Sequence, residues 1–211
     1  GSAPRSCILK RELITKEPIN QKMEKLKNSQ FKTERLIITP FTEEFLTPRY
    51  VSWLNDPEVV RFSEQRHKQH TLSSCRAFLA SINGTHDFFS AILLKALAVK
   101  HRHIGNSAAH INLENGLADQ TILIGEKEVW GQGYGLEAWH GLARELMDRG
   151  IRKINAGTMA ENRAMRSIMH RSGMREDGRF KRHYVLDGKE MDVVFASLFA
   201  QNSSVDSVKN H

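Results

Sequence analysis

Apolar positions along this chain switch repeatedly between a spacing of two and a spacing of three to four, which predicts strands and amphipathic helices in alternation. Leu36-Ile37-Ile38-Thr39 reads as a first strand ended by Pro40. Phe45 to Leu54 places Tyr50, Trp53 and Leu54 on one helical face, and Asn55-Asp56-Pro57 turns into a further short helix. Ser73 or Ser74 caps a helix through Ala77, Phe78, Leu79 and Ile82, stopped by Asn83-Gly84. Three strands follow: Phe88 to about Val99, His103 to Leu113, and Asp119 to Ile124, the last two joined at Asn115-Gly116. The next helix stacks Leu136, Trp139, Leu142, Ala143 and Leu146 and closes at Gly150. Ile151 to Met159 is a strand. Asn162 caps a helix with Met165, Ile168 and Met169 inward, closed by Gly173. A hairpin of Arg179–Leu186 and Met191–Phe199, turning at Asp187-Gly188, ends the pattern. Strand, helices, three strands, helix, strand, helix and hairpin predict an α+β, three-layer α/β domain over 31–200, with a mixed central sheet flanked by helices.

The ends read differently. Residues 1–30 hold seven Lys or Arg against three acids and are expected to form a basic, partly disordered extension, although parts of 8–27 could make a short basic helix. Gly1-Ser2 reads as an expression scar, and Cys7-Ile8-Leu9 is too short for the apolar core of a signal peptide. Residues 201–211 are a polar tail.

Composition excludes more than it selects. The chain has 211 residues, 40% of them hydrophobic and 26% charged, with no apolar run near the ~20 residues a membrane helix needs. The formal net charge of +7 suits an enzyme that handles phosphates, and weak nucleic-acid contact equally. The basic arm lacks interleaved aromatics, so nucleic acid is not expected as a partner. Cys7 and Cys75 are too few for a disulfide framework, which points to a reducing, cytoplasmic setting. His67 and His70 have no third ligand near them and read as a solvated turn, so no metal is expected.

The candidate chemistry begins at Trp130-Gly131-Gln132-Gly133-Tyr134-Gly135, which lies between the strand ending at Ile124 and the following helix. Glycines let backbone N–H groups meet a ligand without an intervening Cβ, and a helix start adds free donors and partial positive charge. Such a loop holds an anion, most simply a phosphate. It is neither a P-loop nor a dinucleotide fingerprint. Leu136-Glu137 stands where the first needs Lys and Ser or Thr, and Leu136 where the second needs glycine.

The tract Glu128 to Ala138 resembles the pyrophosphate loop of the GNAT acetyltransferase superfamily, in its branch of ribosomal-protein and small-amine N-acetyltransferases. Thr33-Glu34-Arg35-Leu36 and the segment from Glu161-Asn162-Arg163-Ala164 to Gly173-Met174 are similar to the same branch. The resemblance implies the GNAT fold, acetyl-CoA as the acetyl donor and an amine acceptor. It also implies that the strand before the loop splays from its neighbour, and that Leu123, Ile124, Gly125, Trp130, Gly131, Gln132, Gly133, Tyr134, Gly135 and Asn162 hold the cofactor, with the thioester at the amides around Ile124 and Gly125. The acceptor amine must lose a proton, because an alkyl ammonium has a pKa near ~10. Asp119 falls where many members carry the acid that takes it; Glu126 is the alternative, and His110 on a neighbouring strand could also serve. Many members protonate the leaving sulfur with a tyrosine seven residues after the helix-starting asparagine, but here that position is Met169, leaving Tyr134 or His170 to assist or the thiolate to leave alone.

The loop spacing is most similar to members acting on small amines, including amino sugars on nucleotide carriers. Protein N-terminal acetylation is the second reading, and a non-catalytic acyl-CoA-binding module the third. A monomer or homodimer is expected.

Overall fold

Residues 17–96 and 102–200 are described by the computed structural model, and their strands form one eight-stranded sheet. In chain order these are β1 (Phe31–Lys32), β2 (Leu36–Pro40), β3 (Phe88–Leu94), β4 (His103–Asn112), β5 (Leu117–Ile124), β6 (Lys153–Met159), β7 (Arg175–Leu186) and β8 (Lys189–Phe199). Their order across the sheet is β1-β2-β3-β4-β5-β6-β8-β7. Only β5 and β6 pair in parallel, because a helical crossover separates them. The helices are α1 (Ile19–Lys27), α2 (Pro48–Asn55), α3 (Leu72–Ser81), α4 (Tyr134–Asp148) and α5 (Arg163–Arg171). No helix among the described residues is long and apolar enough to cross a membrane.

The two faces of the sheet carry separate cores, giving the expected three layers. On one, Trp139, Leu142 and Leu146 of α4 pack with Leu36, Ile38, Phe88, Ile92, Ile104 and Ile154 of the strands. On the other, Tyr50, Trp53 and Leu54 of α2 and Cys75 of α3 pack with Phe41 and Ala91.

The structure departs from the sequence pattern in several places. Residues 18–27 do not form a solvated arm: Met23 and Leu26 of α1 are wholly buried in the main core, and Ile19 packs against it. The spacing of Ile19, Met23 and Leu26 is a helical stripe, which the surrounding charges hide; residues 1–16 and 201–211 lie outside the described residues. Helix α2 starts at Pro48, not Phe45, because Thr47 caps it and proline suits the first helical position. The cap of α3 is Thr71. Its hydroxyl accepts from the Ser74 amide while the Ser74 hydroxyl accepts from the Thr71 amide, so Ser74 completes a capping box. The expected helix after Asp56-Pro57 is a run of turns ending in a 3₁₀ turn over Glu64–His67. Strand β3 ends at Leu94, and the expected continuation over 97–99 lies outside the described residues.

At the start of β4, the imidazole of His103 is ringed by Phe41, Phe45, Tyr50 and Trp53. Its Nε2 lies 2.9 Å from the Gly105 carbonyl oxygen. Burial lowers its pKa from 6.5 to about 4, against the hydrogen bond to Gly105. Folded His103 therefore stays neutral while the unfolded chain takes up a proton below pH ~6.5. Stability is full above that pH and falls as acid is added, the loss completing near pH 4. From 6.5 to 4 the linkage is worth up to about 3 kcal/mol. Urea unfolding at pH 7 and pH 5 should show a fall in stability in wild type that is smaller in His103→Gln.

Candidate active site

Strands β5 and β6 touch over only three positions, Leu117 with Lys153, Ala118 with Ile154 and Asp119 with Asn155. Beyond these β5 continues beside β4 to Ile124, and β6 continues beside β8 to Met159. The sheet therefore opens, as the resemblance implied, into a notch; its apex lies at Asp119. In an antiparallel ladder the backbone groups of successive residues face opposite neighbours. The Gly125 amide donates to the Ile104 carbonyl at 2.9 Å, so Leu123 and Thr121, two and four residues back, also face β4. Ile122 and Ile124 face the notch. Of the three strand residues expected at the cofactor, Ile124 thus presents its amide, whereas the amides of Leu123 and Gly125 are committed to β4. Gly125 instead makes room for the Trp53 ring, with which a Cβ at that position would collide.

The loop after β5 is built from the N-terminus of α4. Gly133 caps that helix with φ 84°, a left-handed conformation that glycine adopts without strain, and offers no side-chain acceptor to the first-turn amides. A Cβ on Gly131 would meet nothing within 4 Å, and one on Gly133 only the Arg35 guanidinium at 3.5 Å. The amides are thus exposed to a ligand and lack an internal partner, which fits a pyrophosphate. Gly135 does otherwise; it lets the helix close onto Ile168 and Ile124. The Trp130 indole folds back and donates to the Ile124 carbonyl at 2.9 Å, and Gln132 Nε2 donates to the Glu128 carbonyl.

The sequence marks Thr33-Glu34-Arg35-Leu36 as a motif without showing what it does. In the fold, Glu137 in the first turn of α4 accepts from Thr33 Oγ1 at 2.5 Å, the Arg35 amide at 2.6 Å and Arg35 Nε at 2.7 Å. The same guanidinium donates to the Gln132 carbonyl at 3.0 Å and lies 4.2 Å from the centre of the Tyr134 ring. Burial opposes ionisation of Glu137, but the Thr33 and Arg35 hydrogen bonds outweigh it and hold the carboxyl below its usual range. Arg35 thereby ties the turn before β2 to the glycine loop and brings a cation to its open side. Only a pairing over roughly a hundred residues reveals this, which no local pattern shows.

The candidate bases differ in their surroundings. Asp119 is exposed at the notch apex, where Oδ1 accepts from Asn155 Nδ2 at 3.0 Å. Glu126 has Oε1 on Trp53 Nε1 at 2.7 Å and Oε2 paired with Arg49, so both oxygens are engaged. His110 sits opposite Asp119 on β4, and its Nδ1 lies 2.8 Å from Asp87, whose carboxylate raises the imidazole pKa. Asn162 caps α5 through the Met165 amide, and its Nδ2 donates to Thr158 Oγ1. Met169 is buried in the main core, Tyr134 lies beneath Arg35, and His170 is exposed in the last turn of α5.

The model of the GNAT acetyltransferase domain matches residues 35–175. A GNAT-family acetyltransferase from Bacillus anthracis has a TM-score of 0.68 at 19% identity, covering 82% of this chain and 99% of that one. The ribosomal α-N-protein acetyltransferase RimL, solved with coenzyme A, has a TM-score of 0.70 at 15% identity, covering 81% and 98%. The microcin self-immunity acetyltransferase MccE, solved with acetyl-CoA and AMP, has a TM-score of 0.67 at 15% identity, covering 79% and 93%. At these identities the likenesses establish the fold. Comparison with curated proteins returned no match.

Removing the Arg35 cation while keeping its bulk, as Arg35→Met, should weaken coenzyme A by at least tenfold, about 1.4 kcal/mol, with Arg35→Lys intermediate. Calorimetric titration of folded variants measures this. An affinity within threefold of wild type would reduce Arg35 to a structural tie.

Proposed function

The chain belongs to the GNAT acetyltransferase family, and from that premise we propose that it acetylates the primary amine of a small molecule such as an amino sugar. As a member of that family it is an acetyl-CoA-dependent N-acetyltransferase. The observation that carries the proposal is the notch, with its freed amides at one end and an exposed carboxylate at its apex.

Acetyl-CoA, when bound, supplies a thioester carbon open to attack by a neutral amine. The chain's own residues do the rest. First-turn amides of α4, with Arg35, meet phosphate charge, and no metal is required. The amides of Ile122 and Ile124 face the notch as donors for oxygen that becomes negative during transfer. Asp119 Oδ1 is oriented by Asn155, and in this reading its carboxylate accepts the ammonium proton directly or through one water. Engagement of both Glu126 oxygens favours Asp119 over Glu126 as the base. Attack by the neutral amine would form the N–C bond as the C–S pair leaves on sulfur. The second proton lost by the nitrogen would pass to that thiolate or to solvent, and a thiol pKa of ~8.5 makes departure without a protein acid tolerable.

The notch ends in a small, exposed carboxylate, which any primary amine can approach. Acetylation of a protein N-terminus uses the same chemistry and is the alternative, since RimL acts on a ribosomal protein. Two cysteines, the described one buried and unpaired, suit a cytoplasmic setting.

Asp119→Asn keeps size and removes the proton acceptor, so the transfer rate with one amine should fall by ~10²–10⁴-fold at neutral pH. Part of the loss should return as pH approaches the pKa of the amine, and coenzyme A affinity should barely move. Glu126→Gln should show a smaller deficit, without rescue by pH. A loss under threefold in Asp119→Asn ends its candidacy, and a large rescued loss in Glu126→Gln transfers the role.

A further inference from the structure

The β7–β8 hairpin and the segment after α2 meet across a cleft. Strand β8 pairs with β6 on one side of the notch, while α2 places Trp53 against Gly125 on the other. The hairpin tip reaches the segment at two points: Arg61 pairs with Asp187 at 2.5 Å, and Arg66 Nη2 donates to the Val185 carbonyl at 3.3 Å. Between them lies a cavity of about 400 Å³ with Leu54 at its wall. It opens on the face of the sheet opposite α4, where Asp119 is also exposed, because Asp119 and the buried Ala118 and Gln120 point to opposite faces.

Its lining is rich in basic side chains. Arg61, Arg66, His67 and Lys68 contribute bases, and Asp187 is the single acid. Arg66 is neutralised by Glu64 at 2.8 Å and anchored to the Ser63 carbonyl. Arg61 and Asp187 are both about half exposed, a pairing of little net worth that an incoming anion can replace. Lys68 has no ion pair among the described residues. Lys127, nearby in the chain fold, is already shared by Asp56 and Glu58.

We propose that this cleft binds a phosphate group carried by the acceptor, held by Arg61 and Lys68, so that the acceptor is a phosphorylated or nucleotide-linked amine and not a neutral one. The inference rests on the acetyltransferase reading above and narrows its substrate class. A guanidinium offers paired donors to phosphate and an ammonium a point charge, so the two side chains suit one anion together. The amine end would then extend along the exposed face toward Asp119.

The test uses protein saturated with coenzyme A, so that the glycine loop cannot compete for phosphate. Calorimetry should show glucosamine 6-phosphate binding at least tenfold tighter than glucosamine. In the double variant Arg61→Met, Lys68→Met the advantage should shrink below threefold. Asp187→Asn, which frees Arg61, should enlarge it, and that variant leaves the cleft cations in place. A uridine diphosphate-linked amino sugar in the same assay separates a diphosphate from a monophosphate source. Equal binding of the two glucosamines, no binding by either, or an advantage untouched by the double variant overturns the phosphate site. So does tighter binding of a neutral tripeptide, which would assign the cleft to a protein N-terminus. Thiol release from acetyl-CoA is read separately. Its absence with every amine, while the phosphate advantage persists, would remove the catalytic reading and leave the site standing.

Discussion

The acetyl transfer proposed for this protein depends on β5 and β6 parting after three residue pairs. Buried backbone donors and acceptors must find partners. Each strand keeps its antiparallel neighbour to the end, β4 for β5 and β8 for β6, so the sheet stays intact in two halves. What it gives up is the ladder between them. Part of the exposed edge is met internally, as where the Trp130 indole takes the Ile124 carbonyl. The amides of Ile122 and Ile124 remain as donors. A ligand running along that edge would replace the missing strand contacts, so in the proposed reading a small notch would hold an extended arm with few side chains.

The charges around the notch follow the same division. A helix start with no capping side chain gathers partial positive charge at the glycine loop, and Arg35 adds a full charge beside it. Glu137 pairs with Arg35 and Thr33 and is held ionised there, so it offsets part of that charge while fixing the guanidinium beside the loop, where Nη1 also donates to the Gln132 carbonyl. The cations of the cleft between the hairpin and the segment after α2 lie on the other face, so in the proposed reading phosphate on the donor and on the acceptor would meet separate residues.

Most elements could be read from the sequence, because the core positions of α4, β2 and α5 follow clean periods and their caps are local. The position of the glycine loop at the start of α4 was equally legible, since glycine spacing and helix start are neighbours in the chain. Three things were not. Helix α1 hides Met23 and Leu26 among charges, so the local charge balance suggested solvent where the fold supplies a core. The direction of each β5 amide depends on the register with β4, which reassigned Leu123 and Gly125. The Arg35–Glu137 tie and the cleft at Arg61 and Asp187 join residues about a hundred or more positions apart. Register and long-range pairing are properties of the folded chain, and no residue window carries them.

The central claim is that the freed edge of β5 and the start of α4 receive one ligand. Amide hydrogen exchange, resolved by residue in chelator-treated protein with and without coenzyme A, tests it most directly. Ile122 and Ile124 in the notch, with Tyr134 and Gly135 in the first turn of α4, should exchange readily in the free protein and become protected on binding. Gly125, already bonded to Ile104, should be protected throughout. Coenzyme A binding that leaves Ile124 and Gly135 unprotected, or protection that appears only when Mg²⁺ is added, would contradict the account.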